Sequence, residues 1–167
     1  MKEEDIYFNL GKSLHIFNEI ELFINLIITH HIQPKDEVFF LDYILNTSVI
    51  SFGAKIKILI NLNIFDKVQI IKIRDYSNNR NVFAHSNKTN HFEVNLNKEK
   101  PNEIQIRKTD VILKTNSEGK ITKMNYKVFL KEHILLQNEI IDFISEYVIT
   151  NKINTHYNHI SNLKLKK

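Results

Sequence analysis

The chain has 167 residues, a formal net charge of +4, 43% hydrophobic residues and no cysteine. This length and apolar share predict one globular domain, and the lack of cysteine excludes disulfides, cysteine–zinc sites and thiol nucleophiles. No apolar run approaches the roughly 20 residues of a membrane helix, and the acidic first residues carry no signal-peptide core. We therefore expect a cytoplasmic protein with no membrane partner.

Helical periodicity marks three segments before residue 64. Apolar residues recur in steps of three and four over residues 4–32, which predicts one long amphipathic helix. Pro34 is expected to open a second helix, which ends near Leu45, because its missing N–H costs nothing at a helix start. A third helix is predicted over residues 48–63. Its apolar face would contain Val49, Phe52, Ile56 and Leu59.

A fourth helix is predicted to begin at Asp66, whose carboxylate can cap the first turn while Gln69 reaches back. Its expected apolar spine is Val68, Ile71 and Val82. A neighbouring face of the same helical wheel is mixed, because it includes an arginine among apolar residues. That face consists of Ile73, Tyr76, Arg80 and Phe83.

The sequence period changes from helical to two after His85. Polar residues 86–90 indicate a helix stop, and the alternation that follows predicts antiparallel strands in an insertion at about residues 91–126. The alternation includes Tyr126 and Val128, and the helical period returns at Leu130. We therefore predict a mainly α fold, an antiparallel helical bundle with a small β-hairpin insertion before the last long helix.

Positive charge is concentrated in this insertion. Residues 98–131 hold nine Lys or Arg and four Asp or Glu, an excess of +5, so the rest of the chain sums to −1. A basic segment of this kind can attract nucleic acid. The alternative is an ordinary solvated hairpin surface.

The segment Arg80-Asn81-Val82-Phe83-Ala84-His85 places a permanent cation, an amide and an imidazole within six residues. These groups suit phosphate chemistry, because the arginine stays charged and the histidine titrates near neutrality. On a partly apolar face Arg80 needs a partner: a carboxylate, an aromatic ring such as Tyr76, or a phosphate. The structural alternative is that Arg80 and Asn81 brace the bundle while His85 closes the helix.

The relative position of Arg80 and His85 limits how they can act together. Five residues separate them by about 140° around an ideal helix, so their side chains would not meet on a straight helix. They converge if the helix ends at residues 84–85, or if two copies of the motif face each other across a dimer.

The motif, with a polar residue directly after its arginine, resembles the signature of the HEPN family (higher eukaryotes and prokaryotes nucleotide-binding). The segment at residues 51–56, about 25 residues before the motif, is similar to several bacterial members. The resemblance covers roughly residues 4–90 and 128–153 and leaves out the β insertion. It implies a metal-independent endoribonuclease with a toxin or phage-defence role, which uses no cofactor and no metal.

This resemblance also implies a mechanism. Two protomers would pair through the motif helix and form one composite cleft. Arg80 would bind the scissile phosphate, Asn81 would orient it, and His85 would move the proton of the attacking 2′-OH or of the leaving 5′-oxygen. The products would be a 2′,3′-cyclic phosphate and a 5′-OH. The implied partners are RNA and a cognate, nucleotidyltransferase-like antitoxin.

Three further residues are expected to contact the substrate: Arg74, Tyr76 and Lys88. A solvated Arg74 paired with a neighbouring Asp or Asn is the alternative for that residue. Histidines 30 and 31, and 85 and 91, lack carboxylates at ligand spacing, so we predict no metal site. Two other functions remain open. One is a non-catalytic HEPN-like module that binds RNA, a nucleotide or a protein, and the other is a plain homodimeric interaction protein.

Overall fold

Helices dominate the structure, a computed structural model that describes residues 3–85, 89–96, 104–115 and 120–153. A three-stranded antiparallel sheet lies between the last two helices in the chain. The predicted mainly helical fold with an antiparallel β insertion is confirmed. The elements are α1 (Glu3–Ile32), α2 (Glu37–Phe39), α3 (Phe52–Asn61), α4 (Lys67–His85), β1 (Thr89–Leu96), β2 (Ile104–Thr115), β3 (Ile121–Asn125) and α5 (Tyr126–Thr150).

The chain divides into two compact units. The first consists of residues 1–80 and 135–167, and the second of residues 81–134. Both boundaries fall inside helices, one in α4 and one in α5. Neither is an exposed linker of the kind that separates independent domains.

The first unit is helical, and its core is rich in isoleucine and phenylalanine. The buried stripe of α1 follows the predicted steps of three and four. It includes Ile16, Phe17, Ile20, Phe23, Ile24, Ile27 and Ile28. Phe65 adds an edge-to-face contact with Phe143 of α5, with ring centroids 5.2 Å apart. Although α1 has 30 residues, no helix in the described part of the chain is apolar enough to cross a bilayer.

The second predicted helix begins later than expected. Asp36, and not Pro34, sets its start, because the Asp36 carboxylate accepts a hydrogen bond from the Phe39 backbone N–H at 2.9 Å. From Phe40 to Ile44 the backbone widens into a π-helical turn. Such turns are rare and are often found at functional sites.

The starts of α3 and α4 both carry capping side chains. The Ser51 hydroxyl accepts from the Ala54 N–H at 3.3 Å, so α3 begins at Phe52. Val49 lies before this cap and is 64% exposed, so its predicted place on the buried face is wrong. The capping box predicted for α4 is confirmed: Asp66 Oδ1 accepts from Gln69 N at 2.8 Å, and Gln69 Oε1 accepts from Asp66 N at 3.0 Å.

The buried stripe of α4 differs from the predicted spine of Val68, Ile71 and Val82. Val68 and Ile71 are 61% and 45% exposed, whereas Ile73 and Tyr76 are fully buried. The helix offers two neighbouring apolar stripes, and the one with the aromatic side chain buries more apolar surface. The predicted spine is therefore wrong, and the mixed face is the one that enters the core.

The second unit contains the sheet, in the order β1-β2-β3 with both pairs antiparallel. Phe92 of β1 lies opposite Lys108 of β2, and Ile112 of β2 lies opposite Met124 of β3. Val111 and Ile112 are both buried although neighbouring side chains of a strand point to opposite faces. Both faces of β2 are therefore covered at this point.

The start of α5 corrects the sequence prediction for Tyr126 and Val128. Asn125 Oδ1 accepts from Lys127 N at 2.9 Å and from Val128 N at 3.3 Å, which caps a helix that begins at Tyr126. The alternation that placed Tyr126 and Val128 in a strand is a short pattern. The capping asparagine ends the strand and turns the next residues into the first helical turn.

Candidate functional site

The motif lies at the C-terminal end of α4. The helix begins after the Asp66 cap and continues to His85, where the sequence predicted that it ends. The boundary between the two compact units falls between Arg80 and Asn81. The arginine thus belongs to the helical unit, and the amide and the imidazole follow it in the same continuous helix.

An aromatic ring provides the partner that the sequence required for Arg80. The guanidinium carbon of Arg80 lies 5.1 Å from the centroid of the Phe17 ring of α1. The Phe17 ring in turn stacks on Tyr76, with centroids 5.8 Å apart and an interplanar angle of 27°. A cation over an aromatic face is attracted by the ring quadrupole, so Phe17 holds the half-buried Arg80 side chain at the edge of the core.

Tyr76 is part of the core and does not face solvent. Its side chain is fully buried, and its hydroxyl donates to Gln137 Oε1 at 3.1 Å. Burial raises the pKa of the Tyr76 hydroxyl well above its usual value, and a hydrogen bond with the Ser13 side chain offsets part of this rise. Tyr76 therefore has a structural role, and its buried side chain is not accessible to a substrate.

Other polar residues of α4 form an exposed row. Arg74, Asn78 and Asn81 follow one another at steps of four and three, which places them on one face of the helix. All three are exposed. His85 occupies the next position of this row, four residues after Asn81, and its side chain lies outside the described residues. We call Arg74, Asn78, Asn81 and His85 the polar row of α4.

Arg80 does not belong to the polar row. Because α4 stays helical to His85, the two residues keep the separation of about 140° that an ideal helix imposes. The helical period therefore gives Arg74, Asn81 and His85 positions on one face of α4. Arg80 lies on a different face, against Phe17 at the edge of the core. Lys88, the third predicted substrate contact, lies outside the described residues.

A second polar site, which the sequence reasoning missed, centres on a buried ion pair in the first unit. Lys55 Nζ lies 2.5 Å from Glu21 Oε1, and the Lys55 side chain is fully buried. The Thr47 hydroxyl donates to the same carboxylate oxygen. The sequence does contain a signal for this ion pair. Glu21 directly follows the apolar Ile20 of α1, and Lys55 lies three residues after Phe52 on the apolar face of α3. A charge of each sign on two apolar faces indicates a buried pair.

A cleft of about 510 Å³ opens beside this ion pair. α1 forms one wall, and the π-helical turn with the loop after it forms the other. Its lining is mostly polar, with three leucines among amides, carboxylates and a hydroxyl. The lining residues are Asn18, Glu21, Leu22, Asn25, Leu41, Asp42, Leu45, Asn46 and Thr47.

The second unit buries a histidine among aromatic rings. His133 of α5 is 1% exposed, and its ring packs edge-on against Phe83 at a centroid distance of 4.8 Å. Phe83 also contacts the rings of Phe129 and Tyr126. Burial lowers the pKa of His133 to about 4, so its ring is neutral at physiological pH. This histidine therefore acts as a core side chain.

The histidines at the end of α1 have a partner of their own. His31 Nε2 lies 2.6 Å from the Tyr147 hydroxyl, and burial together with neighbouring His30 lowers the His31 pKa. Among the described residues, no three His, Cys, Asp or Glu side chains group closely enough to hold a metal ion.

Comparison with known proteins gives no family assignment. No family model, no curated protein and no solved structure matches this chain. The resemblance of the motif to the HEPN signature therefore rests on the residues quoted above.

Proposed function

We propose that this protein is a metal-independent endoribonuclease of the HEPN type, with a toxin or phage-defence role. The observation that carries the proposal is the Arg80-Asn81…His85 motif on the last turns of α4 in a mainly helical chain. Its chemistry is complete for RNA cleavage without a metal. It supplies a permanent cation for the phosphate, an amide, and an imidazole that can transfer a proton near neutral pH.

The environment of Arg80 supports a phosphate-binding role. Its guanidinium is seated on the Phe17 ring, and the side chain is only half-buried. A cation held in place before the substrate arrives needs little reorganisation when charge develops on the phosphate. Arginine also suits this position because its planar donors can form two parallel hydrogen bonds to phosphate oxygens.

The polar row of α4 supports contact with an extended RNA strand. From Arg74 to His85 the row spans eleven residue-to-residue steps, about 16 Å along the helix axis at 1.5 Å per step. This length exceeds the spacing of neighbouring phosphates, so Arg74 can bind a second phosphate while Asn81 and His85 act at the scissile one.

In the proposed reaction the ribose 2′-oxygen attacks the adjacent phosphorus and the bond to the 5′-oxygen breaks. His85 takes the proton from the 2′-OH or gives one to the departing 5′-oxygen. Arg80 stabilises the charge that develops on the phosphate oxygens, and Asn81 orients the phosphate. The products are a 2′,3′-cyclic phosphate and a 5′-OH. DNA is not a substrate, because it lacks the 2′-OH.

We propose a two-fold dimer that unites Arg80 of one protomer with His85 of the other. The mixed face of α4 cannot form this dimer, because Ile73 and Tyr76 are buried in the protomer's own core. The dimer therefore has to form at the C-terminal end of α4 that carries the motif. Light scattering of the wild type should then show a dimer. A monomeric wild type at tens of micromolar would exclude the composite site.

Cleavage of a single-stranded RNA in excess EDTA tests the activity. Arg80→Ala and His85→Ala should each lower the rate at least about a hundredfold, as expected for loss of a charge-stabilising group or a proton-transfer group. Exposed His15 and exposed Lys57 provide matched controls, because His15→Ala and Lys57→Ala remove the same kinds of side chain elsewhere. Circular dichroism shows whether each variant keeps its fold. Equal cleavage by the wild type and both motif variants would rule out the assignment.

A non-catalytic RNA-binding module is the second candidate, because α4 keeps Arg80 and His85 on different faces. It predicts that the wild type retards RNA in a gel without cleaving it, and that Arg74→Ala weakens binding more than His85→Ala. A nucleotidyltransferase-like antitoxin as partner belongs to the nuclease proposal. Its co-expression should then relieve the toxicity of the wild type.

A further inference from the structure

The polar cleft of the first unit has the features of a ligand site that is separate from the motif. α1 contributes Glu21 and Asn25 to it, and the π-helical turn contributes Leu41 and Asp42. With a volume of about 510 Å³, it falls in the range of small-molecule pockets. Binding of a ligand in this cleft does not depend on RNA cleavage at the motif.

The charge in the cleft is unequally compensated. Glu21 is paired with the fully buried Lys55, so this carboxylate and ammonium neutralise each other. Asp42 is exposed in the opposite wall and makes no ion pair among the described residues. The cleft therefore keeps one negative charge, which favours a cationic ligand over an anionic one.

The lining also has an excess of hydrogen-bond acceptors. Asn25 Oδ1 is buried and has no hydrogen-bond partner in the described part of the chain. Burying an acceptor without a donor costs free energy, so a turn of this amide into the cleft, where its oxygen could accept from a ligand N–H, would be stabilising. The amide side chain stands beside the carboxylate of Glu21, which is one helical turn earlier on α1.

Apolar walls separate these polar groups. Leu22 of α1 and Leu41 of the π-helical turn are half-buried in the lining, and the buried Leu45 also contributes to it. A hydrated divalent cation requires a compact shell of oxygen ligands and makes no favourable contact with leucine side chains. An alkyl chain with an ammonium group at each end matches both the leucines and the acceptors.

We propose that this cleft binds a linear aliphatic di- or polyamine. One ammonium group lies at Asp42, the methylene chain packs on the leucines, and a second amine donates to Asn25 Oδ1.

Isothermal titration of the full chain with spermidine and with putrescine, at ionic strength matched with NaCl, tests the proposal. Saturable one-to-one binding is expected. Asp42→Asn should raise the Kd up to about fivefold, since an exposed charged pair contributes at most about this much. Asn25→Leu should raise it less. Exposed Asp75 of α4 gives the matched control, because Asp75→Asn removes the same charge away from the cleft.

Four results would overturn the proposal: no saturable binding, an unchanged Kd in Asp42→Asn, an equal rise in Asp75→Asn, or full competition by Mg²⁺ at equal ionic strength. Asp42 is exposed, so Asp42→Asn keeps the test decisive even if Asn25→Leu fails to fold. RNA cleavage measured on the same variants separates the two proposals, because loss of amine binding should leave cleavage unchanged.

Discussion

The two compact units of this protein differ in both charge and core. Residues 81–134 hold ten Lys or Arg and six Asp or Glu, which makes +4, so the first unit holds thirteen of each and is neutral. The whole net charge of the chain therefore belongs to the second unit. The proposed attraction of nucleic acid would therefore be concentrated in the sheet-containing unit, whereas the half-buried arginine belongs to the helical one.

The cores of the two units also differ in the side chains that they bury. The first unit packs mainly isoleucine and phenylalanine side chains from four helices and includes a charged pair, Glu21 with Lys55. The second unit packs aromatic rings around a neutral histidine, His133. A buried neutral base makes its unit sensitive to acid.

Breaking the ion pair is expected to have the largest effect, and in the first unit. Lys55→Met should lower the free energy of unfolding by about 3–5 kcal/mol, because it leaves the Glu21 carboxylate buried without a counter-charge. Urea denaturation measures this. The double variant Glu21→Leu with Lys55→Met should recover most of the loss. If Lys55→Met alone is as stable as the wild type, the Glu21 carboxylate is solvated and the ion pair is not buried.

Acid should act first on the second unit. The pKa of His133 is lowered to about 4 from 6.5, so the unfolded chain binds a proton that the folded chain lacks between these pH values. The stability that the neutral ring supplies is full above pH 6.5 and is lost as the pH falls towards 4, by about 3 kcal/mol. In urea denaturation, His133→Leu should therefore lose less stability between pH 7 and 4 than the wild type. Parallel losses in both proteins would contradict a buried neutral histidine.

The charge difference between the units predicts where RNA affinity originates. Replacing Lys108, Lys114, Lys120 and Lys123 with Gln should weaken RNA binding roughly tenfold, and should lower the salt slope by about 0.7 for each lost phosphate contact. Lys120 and Lys123 are exposed, so these two changes should not disturb folding.

The matched control replaces four exposed lysines of the first unit, and so changes the net charge equally. These are Lys12, Lys35, Lys57 and Lys67. Fluorescence anisotropy at several salt concentrations compares the two sets. Equal effects would mean that net charge alone governs binding and that the basic insertion has another role.

The smallest expected effect concerns the start of α5 in the second unit. Asn125→Ala removes the side-chain acceptor of the Lys127 and Val128 N–H groups and should cost about 1 kcal/mol. Asn125→Asp should retain most of the stability, since aspartate caps equally well. Hydrogen exchange at residues 126–129 should become faster only in the alanine variant. Unchanged exchange would show that the helix start does not depend on this cap.

Local signals in the sequence were sufficient for the helices and the strand insertion. The capping box of Asp66 and Gln69 was predicted and observed, because both hydrogen bonds join residues three apart. The period of α1 and the end of α4 at His85 followed from the same short-range rules. The predicted end of β3 was wrong. Tyr126 and Val128 continue the alternation of the strand, and this pattern hid the capping signal of Asn125.

The sequence alone determined which residue types could carry phosphate chemistry and where on the chain they lie, since charge and titration belong to the side chains. Only the tertiary structure decided what surrounds them. The contact of Arg80 with Phe17, the burial of Tyr76 and the pairing of Glu21 with Lys55 each join residues far apart in the chain. The sequence of a helix with two apolar stripes does not determine which of the two stripes will be buried. That choice depends on the total surface removed from water when all the helices pack together.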